Sequence, residues 1–245
     1  MLKNRTFRRL GLWLCGFIVA LGIAHLVLHS DQKALEERFG AYRTRWFDMN
    51  SEFSIATWFN VTLLVLVAAL AAVAAVAGAT PRIRLAWGSL AVAVALLSLD
   101  EKVSIHEVLP ELLGMARGTL ATHEWLVPGI IIALIGLGVL AFLMRPLPRP
   151  AVVGLLVAAA VYGVGAVGVE LVTGLATRSL EITHPIRVLM PVWEVVEESL
   201  EMLGCVIAIA TLLAHLRRTG VYDPDRWRAL SGDAEADAAV VADRH

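Results

Sequence analysis

FSIATWFNVTLLVLVAALAAVAAVAG, from Phe53 to Gly78, holds no charged residue. A helix rises about 1.5 Å per residue, so about 20 apolar residues cross a hydrocarbon core about 30 Å thick. A run of this length is read as a membrane-spanning helix. Five further apolar runs have the same character: Leu10 to Leu28, Leu85 to Leu99, Trp125 to Met144, Ala151 to Thr173 and Pro191 to Leu216. The composition agrees with them. Of 245 residues, 58% are hydrophobic and 18% charged, against about 45–50% and about 25% in soluble domains. The expected fold is all-α, a polytopic bundle of six transmembrane helices over residues 1–218, with the lipid bilayer as solvent and no nucleic-acid partner.

The first run follows a basic start at Lys3, Arg5, Arg8 and Arg9. No A-x-A cleavage pattern follows its apolar stretch, and Leu12-Trp13-Leu14 before Cys15 makes a poor lipoprotein signal, so it is read as a retained helix. Arg82, Arg84, Arg145, Arg149, Arg217 and Arg218 lie between or after the spans on the same side as that basic start. Cytoplasmic loops concentrate such residues, so both termini are expected in the cytoplasm of a plasma membrane and the opposite loops outside. Cys15 and Cys205 sit within apolar runs, where no disulfide or cysteine metal site is expected.

Three segments fall outside the spans. Residues 31–48 place Ala34, Leu35, Arg38, Phe39 and Tyr42 at helical spacing, which suggests an amphipathic segment on the outer surface, and 104–120 is expected to do likewise. Residues 219–245 are polar and lack an apolar period, so a disordered cytoplasmic tail is expected.

The ionisable residues are strongly segregated. Every acidic residue before Asp223 falls on the outer side or near an outer span end, as do His25, His29, His106, His123 and His184. Measured from the inner arginines, Arg9 to His25, Arg84 to Glu101 and Arg217 back to Glu201 each rise about 24–25 Å. Three helices therefore bring polar groups to one level, about 5 Å below the edge of a core about 30 Å thick. Charges at a helix centre cost about 2.5–3.5 kcal/mol each on insertion scales and face a bundle interior or a watery cavity.

Three motifs carry candidate chemistry. His25-Leu-Val-Leu-His29 puts two imidazoles one turn apart on one face, a geometry for two ligands on one metal ion or for two interfacial histidines bonded to neighbours. Glu194, Glu197, Glu198 and Glu201 share a stripe that Gly204, Cys205 and Ala208 continue with small side chains. Four carboxylates so close require cations or protons among them, although Glu194 is also explained by a helix start near Pro191. Ser98-Leu-Asp100-Glu101-Lys-Val-Ser104-Ile-His106-Glu107 ends the third span. A continued helix would put Asp100, Ser104 and Glu107 on one face, whereas Ser104 and Glu107 also fit a capping box for a new helix.

Other features weigh less. Glu170 ends an otherwise uncharged span, and His123 and Glu124 are read as opening the fourth helix with Thr122 as cap. Gly163-Val-Gly165-Ala-Val-Gly168 fits the dinucleotide G-x-G-x-x-G pattern, but it follows no strand and is read as a close helix contact. The gathering of histidines and acids at one bundle end is similar to that of alkaline-ceramidase-like membrane zinc hydrolases. That family has seven spans and a differently placed histidine pair, so no residue role is carried across.

The expected function is a metal-dependent membrane enzyme, a hydrolase or a dinuclear oxidoreductase, acting on a lipid-like substrate. Its divalent metal, zinc, iron or manganese, would be held by His25, His29, Asp100, Glu101, His106, Glu194, Glu198 and Glu201, with Glu197 or Glu198 as catalytic base. One alternative is a non-catalytic membrane subunit that binds a partner or assembles a complex. A cation- or proton-coupled transporter fits less well, because the inner halves of the spans hold almost no polar group and transport sites favour the midplane.

Overall fold

The computed structural model describes residues 5–115, 122–181 and 183–221. Among them there is no strand. Six helices are long and apolar enough to cross a membrane, at Arg8–Ser30, Ile55–Val76, Pro81–Val103, Leu126–Leu143, Arg149–Ser179 and Met190–Arg218. The chain is a multi-pass membrane protein with an all-helical bundle.

In chain order the elements are α1 (Arg5–Ser30), α2 (Gln32–Phe39), α3 (Ala41–Thr44), α4 (Ile55–Val76), α5 (Pro81–Val103), α6 (Ile105–Leu112), α7 (Leu126–Leu143), α8 (Arg149–Gly163), α9 (Glu170–Ser179), α10 (Pro185–Val188) and α11 (Met190–Arg218). Local chemistry sets their ends. The Ser54 hydroxyl accepts the Thr57 N–H at 3.0 Å and so caps α4. Thr80 does the same for Ile83 at 3.3 Å at the start of α5, where Pro81 occupies the first position and loses no helical bond. Arg84 Nε donates to the Gly78 carbonyl at 2.8 Å and closes the short turn between α4 and α5. These two helices then pack along each other, burying Leu63, Leu64, Val67 and Ala71 on α4 and Ala86, Trp87 and Leu90 on α5.

Glycines bring α8 and α11 together. A Cβ on Gly204 would lie 2.9 Å from the Ala158 carbonyl and 2.8 Å from Tyr162 Cβ, and one on Gly154 would lie 2.5 Å from Thr211 Oγ1. Between α8 and α9 the chain takes one wider, π-helical turn at Val164–Val169. Such turns shift the register of everything beyond them. Here the turn carries Gly165 against α11, where an added Cβ would meet the Glu197 carbonyl at 2.7 Å. Of the three glycines read from sequence as a close helix contact, Gly165 makes one, whereas a Cβ on Gly163 would meet nothing within 4 Å and one on Gly168 only Val164 at 3.8 Å; the π-helical turn has no sequence signature.

By contrast, α7 buries only Leu126 and Pro128 and exposes Ile131, Ile132, Leu134 and Ile135. In water such a surface would be unfavourable, whereas lipid is as apolar as the side chains themselves.

The third span departs from expectation. The helix continues through Asp100, Glu101 and Lys102 to Val103 and breaks at Ser104, which adopts the left-handed region at φ 53°. Asp100, Ser104 and Glu107 therefore share no helical face. Nor does the capping box form: the Ser104 hydroxyl bonds the Glu52 carboxylate, and Asp100 Oδ1 accepts the His106 N–H at 2.9 Å instead. Thr122 likewise caps nothing; α7 begins after Trp125 without a side-chain cap.

The 31–48 segment is helical but interrupted at Gly40, φ 84°, which separates α2 from α3, and a tighter 3-10 turn follows at Arg45–Phe47. Of 104–120, Ile105–Leu112 is helix and residues 116–120 lie outside the described residues. The chain divides into two units, 1–212 and 213–245. The described part of the second is the last turn of α11 and a glycine C-cap at Gly220, φ 75°, whose N–H bonds the Arg217 carbonyl at 3.1 Å. Residues 222–245, most of the expected tail, lie outside the described residues.

Candidate functional site

Successive spans alternate in direction, so the C-terminal ends of α1, α5 and α9 meet the N-terminal ends of α4, α7 and α11. Polar side chains from α1, α4, α5 and α11, with Asp48 from the loop after α3, come together there. They form two groups of potential ligands and a separate acid–histidine pair.

The first group is His25, His29, Asp48 and Glu194, each offering one ligating atom, all within 4.8 Å of one another. His25 is fully buried. Its Nδ1 accepts the Met49 N–H at 2.9 Å, so the neutral ring carries its proton on Nε2. That nitrogen lies 3.1 Å from Glu194 Oε2. Asp48 Oδ1 is 3.4 Å from the His25 ring and accepts the Asn50 N–H at 3.2 Å. The His25 Nδ1 is thereby engaged, whereas Nε2 and Glu194 Oε2, though 3.1 Å apart, form no hydrogen bond. His29 differs. Its Nδ1 lies 3.1 Å from the His25 carbonyl, to which it donates, and this leaves the Nε2 lone pair for another partner. The two rings are 4.3 Å apart, as the i to i+4 spacing implies.

The second group is Glu101, Glu198 and Glu201, again within 4.8 Å. Asn60, fully buried on α4, spans two of them: its Nδ2 donates to Glu101 Oε1 at 3.0 Å and to Glu201 Oε2 at 3.1 Å. Tyr162 donates to Glu101 Oε2 at 3.3 Å, and the Cys205 thiol donates to Asn60 Oδ1 at 3.7 Å. Glu198 Oε2 is buried without a hydrogen-bond partner. Among the described residues no ion pair joins these three acids to a basic side chain. So many like charges in a low dielectric need a proton or a cation as counter-charge.

Asp100 and His106 belong to neither group. Asp100 Oδ2 is 3.0 Å from His106 Nδ1, and the His106 ring packs edge-on against Trp125 with centroids 4.6 Å apart. Trp125 Nε1 donates to Glu170 Oε1 at 2.7 Å. Burial pulls the His106 pKa down, but the Asp100 hydrogen bond and charge outweigh it and raise the pKa above the ordinary 6.5. Glu197 stands between the clusters, with Glu170, Glu194 and Glu101 as its electrostatic neighbours. His184 caps α10, accepting the Ile186 N–H at 3.3 Å, and His123 packs against Gly174.

Of the sequence-derived candidates, the structure thus gathers His25, His29 and Glu194 in one group and Glu101, Glu198 and Glu201 in another. It leaves Asp100, His106 and Glu197 outside both. Sequence reasoning missed Asp48, Asn60 and Tyr162. Asp48 lies in a charged loop with no spacing relation to His25. Asn60 had a readable signal, a lone amide in an apolar span.

The family model for the domain of unknown function DUF8692 matches residues 11–216. No curated protein and no solved structure matches the chain.

Proposed function

This chain belongs to the DUF8692 family, and we propose that it is a membrane metalloenzyme that hydrolyses a lipid-like substrate. The observation that carries this is the convergence of ligating atoms from His25, His29, Asp48 and Glu194 within 4.8 Å, drawn from α1, the loop after α3, and α11. The His29 imidazole with the Asp48 and Glu194 carboxylates makes a nitrogen–oxygen donor set that suits zinc, iron or manganese.

The parts divide as follows. His29 Nε2, Asp48 and Glu194 hold the ion. His25 acts through its neighbours: Met49 fixes its tautomer, and its Nε2 lies 3.1 Å from Glu194 Oε2. A bound ion supplies Lewis-acid polarisation and makes water acidic near neutral pH. Glu198, one helical turn beyond Glu194 on the same stripe and with Oε2 unpartnered, takes the proton from the attacking water. It then returns that proton to the leaving group as the ester or amide bond breaks. Glu101 and Glu201 are read as holding a proton rather than a second ion, because the Asn60 amide nitrogen already bridges them. This favours hydrolysis over a dinuclear oxidative centre, which needs bridging carboxylates.

A lipid-like substrate is favoured by position. The site lies at the ends of spans whose outer surfaces are apolar, and Phe53 and Trp58, around the start of α4, are exposed. The arginine pattern supports reading this end as the outer side of a plasma membrane.

The test is a comparison of lipid extracts, by mass spectrometry, from cells expressing the wild-type chain and a folded Glu198→Gln variant. A lipid class depleted only by the wild type, with its hydrolysis product raised, is the expected result. Identical extracts from cells holding metal-loaded wild-type protein would contradict the proposal.

A further inference from the structure

The link between α1 and α4 contains Arg38-Phe-Gly-Ala-Tyr42-Arg-Thr-Arg-Trp-Phe47, a stretch with three arginines, four aromatic residues and no acid. All of those arginines and aromatics are exposed, Tyr42 to 75% and Trp46 to 43%. Among the described residues no ion pair occupies Arg38, Arg43 or Arg45. Rings left in water forgo the gain of burial, and like charges repel. Such a surface is satisfied by something that is both apolar and anionic.

The stretch is fixed to the bundle. Gly40, φ 84°, bends the chain between α2 and α3, and the buried Thr44 donates its hydroxyl to the Ala41 carbonyl at 2.9 Å. The turn at Arg45–Phe47 packs against α1 and α4, and Met49 just beyond it is buried. Tyr42 and Trp46, four residues apart, meet edge to face with ring centroids 6.2 Å apart. The Arg38 guanidinium lies 5.4 Å from the centre of the Phe39 ring. Because the link joins the same-side ends of two successive spans, it lies where hydrocarbon gives way to headgroups. Tryptophan and tyrosine settle at that level, and arginine there lays its stem on apolar surface while its guanidinium stays among polar groups.

We propose that residues 38–47 form a binding surface for anionic phospholipid headgroups at this face of the bilayer. The rings enter the boundary between headgroups and acyl chains, and the guanidiniums of Arg38, Arg43 and Arg45 pair with lipid phosphates, whose oxygens match their forked donors. The lack of an acid selects among lipids. A zwitterionic headgroup brings an ammonium for which the stretch offers no carboxylate, whereas a headgroup of net negative charge needs none. The nearest acids lie outside it: Glu36, which accepts from Gln32 Nε2 at 2.7 Å, Glu37, and Asp48, which faces His25 and Asn50. The surface rests on the chain crossing a membrane and not on the hydrolase reading, and it needs no cation at His29, Asp48 and Glu194.

Hydrogen exchange of the full chain in lipid nanodiscs tests it. Amides of residues 36–47 are expected to exchange about tenfold more slowly in phosphatidylcholine discs that contain phosphatidylglycerol than in phosphatidylcholine alone, with residues 105–113 as the reference for any change in surface pH. High salt should weaken that protection, an arm that needs no variant. A folded chain carrying Arg38→Gln, Arg43→Gln and Arg45→Gln should lose it, and the three lysine substitutions should keep part of it, since the charge remains without the fork. Inorganic phosphate added to phosphatidylcholine discs should give no protection, which separates a lipid from the free anion. Exchange over 36–47 that ignores phosphatidylglycerol, responds to it equally in the glutamine variant, or slows as much with inorganic phosphate would overturn the proposal.

Discussion

Asn60 on α4 donates to Glu201 on α11 at 3.1 Å across 141 positions of sequence, and the same nitrogen donates to Glu101 on α5 at 3.0 Å. One buried amide therefore ties three spans together through two carboxylates. An unmet buried acceptor costs about 1–3 kcal/mol. Asn60→Leu, which fills the volume but donates nothing, is expected to lower stability by about that amount. Thermal unfolding in detergent checks this, and an unchanged midpoint would show that the amide holds nothing together.

Gly165 makes a second prediction with its own control. An added methyl would sit 2.7 Å from the Glu197 carbonyl, whereas one on Gly163 meets nothing within 4 Å. Gly165→Ala must push the π-helical turn away from α11, at a cost of about 1–3 kcal/mol typical of overpacking. Gly163→Ala should be neutral or slightly stabilising, since alanine is the better helix former. Equal unfolding temperatures for the two variants would refute the close approach.

His25 organises the loop that delivers Asp48. Its Nδ1 receives the Met49 N–H, and Met49 is itself 1% exposed. His25→Phe keeps an aromatic ring but leaves that N–H without an acceptor. Hydrogen exchange over residues 45–54 should quicken about tenfold, the equivalent of one lost buried hydrogen bond. His29→Ala removes a ring whose hydrogen bond goes to the His25 carbonyl and not to the Met49 N–H, and should leave that exchange near the wild-type rate.

The Asp100–His106 pair gives a pH dependence with a definite sign. The folded pKa of His106 is raised above its ordinary 6.5, chiefly by Asp100 working against burial. Its contribution to stability is therefore complete below pH 6.5 and is lost as the pH rises through the raised folded value. The difference in unfolding temperature between wild type and His106→Gln should shrink as the pH climbs through that window. A difference that grows with pH would reverse the assignment.

How much of this was readable in the chain follows from the physics of each feature. The spans are legible because lipid imposes a long apolar run on any helix that crosses it, and Phe53 to Gly78 needs little more than inspection. The shared face of His25 and His29 and the stripe from Glu194 to Glu201 follow from helical period. The division into two groups does not. It depends on Asp48 arriving from a loop and on Asn60 bridging two other helices, and neither is a periodic relation. Neither the continued helix nor the capping box that the residues allow is formed at Ser104, because S-x-x-E records residue types and not the left-handed turn that frees Asp100 to act instead. The π-helical turn at Val164–Val169 looked like ordinary helix, since its glycines suit both.

The central claim is a cation held by His29, Asp48 and Glu194. It is tested most directly by elemental analysis of protein purified in mild detergent without a polyhistidine tag, beside folded His29→Ala and Glu194→Gln variants. Near-stoichiometric zinc, iron or manganese in the wild type, lost in both variants, is the result this account expects. Wild-type protein free of metal after purification and after incubation with each of these ions, or metal kept in full by both variants, would contradict it.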